Sequence, residues 1–563
     1  MKEVLTMRKT LSIVLSVVMI LSACCFALPV SAAPEGTPIN TADEFMAMAA
    51  DGTYYLNADI TLTASYEAPF SGTLDGNGKT VTISAPMFAE FNGTAKNFTI
   101  NGAITSDGDA GSLAVTSTAG MIVENVTSNV NITISGQGKH AGGIVATNYG
   151  VDITSEYTNV VNNGDIYVDS AADEKQRAGG IGGIIENVIL TNCVNTGDIY
   201  AKGNLVIVGG MVGRGALHSG INTVEAYYCV NTGNLTADET YTTTGGSDVG
   251  GIFGYLGTKG NLGFYRTYGC LNTGDLAAPY RVGGMCAYVY GQATQFIDIE
   301  FCVSTGNITY GRTASSSESV WDYVSYFIAY TNTTSTVICY NIGMGEFKRV
   351  DGALSTNPVS LFGCSSADAT LYTISDNYII DNDQITHYST ASATENAHNI
   401  IEVSYAIENG CLTRTTAEEL KSGKICVALN NAAQGGEDSK YWFYQTLGTD
   451  DIPTVSTDSK WVIDNNGTYV NGDKPVVVET TTEAPKETEA PVTEAPVTEA
   501  PVTEAPATEA PTTEAPATEA PTTEAPTTEA PKAEGGCGGF VAMGIVACMI
   551  PAAVVICSKK KED

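Results

Sequence analysis

Five cysteines recur in one setting, at 193, 229, 270, 302 and 339, each opening a short phrase that ends in glycine. Thiols can act as nucleophiles, metal ligands or disulfide partners, and their setting has to decide between these. Their regular recurrence predicts a column of small apolar groups stacked in a core. Disulfides between neighbours would need a dihedral angle that parallel stacked side chains rarely reach, and an odd number leaves one thiol over. The four histidines, at 140, 218, 387 and 398, include no H-E-x-x-H pair one helical turn apart, so no metal and no cofactor is expected.

The acidic residues are of two kinds. Asp165, Asp198 and Asp275, with Asn234 in the same place, keep step with the cysteines and read as turn residues that bond the local backbone. Asp298, Glu300, Glu318 and Asp322 break the period, as a catalytic set would. A β-helix lyase needs clustered carboxylates to hold calcium and an Arg or Lys to remove a proton; a glycosidase needs two carboxylates about 5 to 9 Å apart. These four form no recognisable constellation, and no catalytic residue is assigned. Asp450 and Asp451 are too few ligands for a calcium loop. The remaining candidates are aromatic. Tyr280, Tyr288, Tyr290, Trp321, Tyr323, Tyr326 and Tyr330 crowd one stretch, and sugar faces stack on such rings. Tyr288, Tyr290, Trp321, Tyr323 and Tyr326 are therefore the candidate ligand-binding residues, against the alternative that the rings fill the core or an irregular coil.

What must position these residues is a repeat. The phrases CVNTGDIYA, CVNTGNLTA, CLNTGDLAA and CVSTGNITY begin at 193, 229, 270 and 302, with a weaker VVNNGDIYV at 161 and a decayed CYNIG at 339. Their glycines fall at 164, 197, 233, 274, 306 and 343, so neighbours are 33, 36, 41, 32 and 37 residues apart. A second phrase lies between them: AGGIVA at 141, AGGIGGI at 178, VGGMVG at 208, VGGIFG at 249 and VGGMCA at 282. A period of this size marks stacked units that bury their apolar faces only against each other. Val, Ile, Thr and Tyr dominate and helix-forming runs are missing, which excludes the helical solenoids of similar period. The expected fold is all-β, a parallel β-helix.

The VGGIFG and CVNTGDI phrases resemble the GLUG motif of bacterial surface proteins, over about residues 120 to 345. The resemblance implies right-handed β-helix coils. GLUG repeats also accompany zinc peptidases that cleave immunoglobulin A, but the zinc motif is missing from these 563 residues, so the likeness is expected to concern the repeats and not a peptidase domain.

Equivalent positions of a parallel stack lie about 4.8 Å apart. Asn162, Asn195, Asn231, Asn272 and Asn341 are thus expected to form a structural amide ladder. The glycines at 164, 197, 233, 274 and 306 are expected to supply the positive φ of a tight corner. Thr41 with Glu44 makes a capping box for a short helix closing the N-terminal end, followed by a period-2 strand over 54 to 62 and a D-G-N-G turn after 74. Thr416 with Glu419 opens a second helical stretch, and Trp442, Phe443, Tyr444 and Ile452 are expected to seal the other end of the core.

The ends of the chain speak of export. Lys2, Arg8 and Lys9 precede an apolar run from 11 to 27, and Val30-Ser31-Ala32 offers a signal peptidase site. Leu21-Ser22-Ala23-Cys24 also resembles a lipobox, with Cys24 the residue that would be lipidated. Residues 540 to 557 are uncharged and precede Lys559, Lys560 and Lys561, the pattern of a membrane-spanning stop-transfer tail. Thr-Glu-Ala-Pro repeats before it form a proline-stiffened stalk, which at about 3.1 Å per residue reaches on the order of 150 Å. The expected organisation is a signal peptide at 1–32, a cap and first coils at 33–119, GLUG-like coils at 120–350 and closing coils with a capping module at 351–475. A stalk at 476–534, a glycine-rich hinge and transmembrane helix at 535–558 and a basic tail at 559–563 complete it.

With 62 acidic and 27 basic residues the net charge is −35, which excludes nucleic acid and repels polyanionic glycans unless a local basic patch intervenes. These features lead to the expectation of a surface protein anchored in the plasma membrane of a Gram-positive-type bacterium. Its stalked head would bind a glycan or a surface ligand of a host or neighbouring cell. A β-helix polysaccharide-degrading enzyme and a passive envelope protein are the alternatives.

Overall fold

The computed structural model describes residues 34–463 apart from 137–138, 151–152, 170–174, 216–220, 240–245, 258–261, 291–294, 312–322, 332–334, 351–358, 365–371, 381–384, 394–396, 403–410, 434–441 and 457–461. The chain divides into two units, 1–480 and 481–563. The expected leader, stalk, membrane segment and basic tail lie outside the described residues, and among the described residues no helix is long and apolar enough to cross a membrane.

Strands of successive coils pair in parallel, and the same offsets recur at every step. Ile132, Ile166, Ile199, Leu235, Leu276, Ile308 and Phe347 are consecutive partners, each at most 6% exposed. Two residues on, Ile134, Val168, Ala201, Ala237, Ala278 and Tyr310 form the next inward column, while Tyr167 and Tyr200 between them face outward and stack at 5.1 Å. This is the two-residue alternation of strands, applied to the D-I-Y-A end of each phrase. The described strands form a 34-stranded sheet, an 11-stranded sheet and a small 3-stranded one. Stacked parallel sheets around one apolar core make this a parallel β-helix. The stacking continues beyond the last phrase: Val359–Cys364 pairs with Ile328–Thr331, Tyr372–Ser375 with Ser335–Cys339, and Leu412–Thr415 with Asn377–Ile380.

The turn of each phrase is held from within. Asn162 Nδ2 donates to Asn195 Oδ1, Asn195 to Asn231 and Asn231 to Asn272, each at 2.8 Å, and the first three also donate to the glycine carbonyl two residues on at 2.9 Å. All four side chains are fully buried. Outside the turn, Asp198, Asn234, Asp275 and Asn307 each donate a backbone N–H to the side-chain oxygen one coil earlier, at 2.7 to 3.1 Å. These acids and amides therefore bond across coils, not locally as expected.

Two further expectations about the turn need correction. The repeat glycines do not take positive φ. Glycine is required because the chains approach closely: a Cβ at Gly197 would run into the carbonyl oxygen of Gly164. The left-handed corner sits just before the column that the cysteines occupy, at Asn125, Asn159, Asn192, Tyr228, Gly269, Phe301 and Tyr340, with φ between 54° and 62°. Asn341 also leaves the ladder. The strand Ser335–Cys339 ends with Cys339 against Glu300, so the corner falls on Tyr340 and Asn341 takes the place of Cys302's column. There it accepts from the Cys302 backbone at 2.7 Å and donates to Asn377 at 3.0 Å, while Ser304 and Gly343 occupy the ladder positions and Gly345 the glycine position.

Thr41 caps the helix Ala42–Met46, accepting from Glu44 N at 3.2 Å, and Phe45 packs on Phe88. The C-terminal helices Ala417–Lys421, opened by the Thr416 and Glu419 capping box, and Lys424–Ala433 lie along a flank, not over the end of the core as expected. Leu420, Ile425, Leu429, Phe443 and Ile452 cover the outward residues Val230, Leu271, Val303 and Ile342 of four successive coils. The side chains of Trp442 and Tyr444 lie outside the described residues.

Removing the Asn231 side chain takes a partner from Asn195, from Asn272 and from the Gly233 carbonyl in a buried place. Asn231→Ala should cost about 3 kcal/mol or more, whereas Asn234→Ala, on the exposed column, should cost about 1 kcal/mol. Urea midpoints of the two variants check the difference.

Candidate functional site

The residues flanking each glycine pair form two adjoining columns. The first, two positions before the pair, runs His140, Arg177, Ile207, Asp248, Arg281, Tyr323. The second, five positions after its first residue, runs Thr147, Ile184, Arg214, Tyr255, Tyr288, Tyr330. Strand alternation sets this arrangement: Ala141, Ala178, Val208, Val249 and Val282 turn into the core, so their predecessors turn away from it. The columns meet, because the Arg281 guanidinium lies 3.7 Å from the Tyr288 ring centre and Tyr323 and Tyr330 are 4.5 Å apart.

The strip has a cationic part and an aromatic part. Tyr255, Tyr288 and Tyr330 are consecutive rungs with ring centres 4.8 and 5.4 Å apart, and Tyr290 and Tyr280 flank them. These tyrosines are half-buried, so their rings keep an accessible edge or face. Arg281 is gripped by Asp248 at 2.5 and 3.2 Å and sandwiched between Tyr280 and Tyr288. Burial raises the Tyr255 and Tyr288 pKa values, with Arg214 and Arg281 respectively opposing the rise, which keeps both phenols protonated and able to donate hydrogen bonds.

Of the ligand-binding candidates, Tyr288, Tyr290 and Tyr323 belong to this strip. Tyr326 does not: it is fully buried, its hydroxyl donates to Gly345 O at 2.5 Å and its ring packs on Phe347, because it stands where the other coils have the second glycine of the pair, facing inward. Trp321, Glu318 and Asp322 lie outside the described residues. The sequence reading missed Arg177, Arg214, Asp248, Tyr255 and Arg281. The signal was present, since non-apolar residues recur at two fixed offsets from an otherwise apolar and glycine-rich phrase.

The acid that breaks the period, Asp298, is engaged elsewhere. Glu225, Arg266 and Asp298 stack on three successive coils, with Arg266 bonding Glu225 at 3.2 Å and Asp298 at 3.3 Å, and the Tyr227 and Tyr268 hydroxyls completing the two carboxylates. Glu300 stands in the column of Tyr268 and Cys339. Each charge of the stack has an opposite neighbour, an arrangement suited to stability. Lys421 bonds Asp451 at 3.1 Å in the closing module.

Cys193, Cys229, Cys270 and Cys302 form a buried column of free thiols. Cys193, Cys270 and Cys302 donate to carbonyls of the preceding coil at 3.3, 3.5 and 3.1 Å. Burial, reinforced by the thiol of the following coil, pushes the pKa of Cys193, Cys229 and Cys270 well above the ordinary range, and burial carries that of the displaced Cys339 to about 12, against the Ser375 hydrogen bond. Such thiols are poor nucleophiles.

A parallel β-helix carrying an arginine and tyrosine strip beside its glycine pairs is thus the class of protein these residues define. No family model matches the chain, and the GLUG resemblance stays a likeness of phrases. No curated protein matches it either. Among solved structures, an IgA1 protease is similar at 19% identity and a TM-score of 0.35, over 44% of this chain and 20% of that one. The chain therefore spans about a fifth of that protein's length.

Two outcomes follow from the buried groups. Iodoacetamide should leave Cys193, Cys229 and Cys270 unmodified in the folded chain and label the half-buried Cys411 before any of these three, with all four reacting in urea; mass spectrometry of the peptides reads this directly. His140 is buried beside Asp109, Arg177 and Lys139, and burial lowers its pKa from 6.5 to about 4, against the pull of Asp109 and with the push of the two cations. Between those two values the unfolded chain takes up a proton that the folded one refuses, so stability falls as the pH drops through that window. Melting curves from pH 7 to 4 should show the fall, and His140→Gln should flatten that part of it.

Proposed function

We propose that this chain is an exported surface protein whose GLUG-like, right-handed β-helix is a glycan-binding head. The observation that carries the reading is the ordered run of half-buried rings at Tyr255, Tyr288 and Tyr330, one per coil and 4.8 and 5.4 Å apart, with Arg281 held rigidly among them. Such a row repeats along the axis of the solenoid, as the sugar rings of a polysaccharide repeat along its chain. Tyrosine suits the task because its ring offers an apolar face and its hydroxyl a hydrogen bond at small entropic cost. The leader, the Thr-Glu-Ala-Pro stalk and the uncharged stretch from 540 to 557 support export, reach and anchoring in a membrane.

The test is retention of the full chain, purified in detergent, on a panel of neutral and acidic polysaccharides, with newly released sugar ends assayed in the same samples. Retention without release is expected, with affinity lowered about tenfold or more in Tyr288→Ala at unchanged melting temperature. Release that survives purification would make the chain a polysaccharide-degrading enzyme and sink the binding reading. Unchanged affinity in Tyr288→Ala and Tyr330→Ala would remove the strip as its site.

A further inference from the structure

Arg177 and Arg214 are unlike the other arginines of the fold. Arg281 is clamped by Asp248, and Arg266 by Glu225 and Asp298. Arg177 is 8% exposed, and its Nε–H, like that of Arg214, has no hydrogen-bond partner among the described residues. The two guanidiniums stand on adjoining coils in the adjoining columns, close enough for Arg214 to disfavour the charge of Arg177: burial and then Arg214 lower the Arg177 pKa to about 10. The groups facing them are the Tyr255 ring, 4.6 Å from Arg214, Tyr149, Tyr265 and the acids Asp109, Glu186 and Asp248, none of which forms an ion pair with Arg177 or Arg214 among the described residues. Asp109 accepts from the backbone of Lys139 and His140, and Asp248 is taken by Arg281. His140, the next rung, is held neutral at pH 7 and adds no third charge.

Burying two like charges side by side without a contacting counterion is costly, and a fold under no other demand replaces one of them. Guanidinium forks match the paired oxygens of a carboxylate or sulfate. We propose that Arg177 and Arg214 form a subsite for the anionic group of an acidic polysaccharide, whose sugar rings continue along Tyr255, Tyr288 and Tyr330. The inference rests on the glycan-binding reading above and names its ligand class. From the Arg177 rung to the Tyr330 rung is four coil steps, about 19 Å, so the ligand is an oligomer and not a single sugar. It also supplies the local basic patch that a chain of net charge −35 needs to hold a polyanion.

The experiment is affinity electrophoresis of the full chain in detergent, through gels containing polygalacturonate, dextran sulfate or plain dextran. Retardation by an acidic polymer and not by dextran is expected, with the stronger of the two acidic gels assigning carboxylate or sulfate. Arg177→Gln and Arg214→Gln should each weaken that retardation at least tenfold, Arg214→Lys less, and Arg177→Gln should melt at or above the temperature of the parent because it relieves a repulsion. Undiminished retardation in both glutamine variants, or a melting point several degrees lower in Arg177→Gln, would overturn the subsite. Retardation by dextran that is lost in Tyr288→Ala and indifferent to the arginines would overturn it while leaving the glycan-binding head in place. No retardation in any gel would overturn both.

Discussion

Each coil must bring its backbone back to within one strand spacing, about 4.8 Å, of the coil before it, and the N-T-G turn is one of the tight points of that return. There the chain turns sharply with its carbonyls pointing inward, where no water reaches them. The amides of Asn162, Asn195, Asn231 and Asn272 are the device that satisfies this place: each donates to the glycine carbonyl of its own turn, and the first three donate to the next amide as well. Glycine then follows for a steric reason, since a Cβ would meet the backbone of the neighbouring turn. Once the turn is fixed, two-residue alternation dictates which of the following residues enter the core, and the register of the sheet is set for the whole coil.

The second corner of the coil shows how the same backbone can be held by different chemistry. A left-handed residue that is not glycine costs roughly 1 to 2 kcal/mol. From Asn97 to Asn192 the cost is offset by short polar side chains that bond one coil to the next, Asn125 to Asn97 at 3.0 Å and Asn159 to Asn125 at 2.9 Å. At Tyr228, Phe301 and Tyr340 large rings occupy that corner, where β propensity and steric preference both argue against them. These rings lie under the C-terminal helices: Phe301 is 2% exposed, stacked on Tyr340 at 5.0 Å and 5.9 Å from Phe443. The apolar area buried against the closing module replaces the hydrogen bonds of the asparagine ladder. The module is therefore placed by a change of corner residue along the flank.

What was legible in the sequence was what repeats. The parallel stack, the amide ladder through Asn272 and the thiol column all express one residue type at one offset, and stacking makes equal offsets into contacts. Asn341 was misplaced because CYNIG keeps the letters of the motif while its corner has moved to Tyr340, two residues out of step with the cysteine. A slip of two leaves inward and outward residues on their proper faces, so the hydrophobic pattern gives no warning of it. The strip was half visible for the opposite reason. Aromatic residues drew attention at Tyr288 and Tyr323, but a site built from Arg177, Arg214, Asp248, Tyr255 and Arg281 has a different residue on every rung, and only the fold lines these up.

A solenoid can keep such a strip because its stability is a sum of neighbouring contacts. Beneath the rungs of Arg177 and Arg214 the inward residues Ala178, Ile181, Val208 and Met211 are all fully buried, and the turns of the same coils carry the Asn195 and Asn231 amides. Unfavourable electrostatics on the outside of two coils is thereby confined to those coils, and the inner ladders hold the register on either side. The same reasoning distinguishes the two charged clusters of the molecule. Glu225, Arg266 and Asp298 alternate in sign from coil to coil, so stacking strengthens each pair. Arg177 and Arg214 repeat one sign on adjoining coils, so stacking works against them. In a fold that copies its environment every 32 to 41 residues, a departure from charge balance that packing does not require is the mark of a demand from outside the fold.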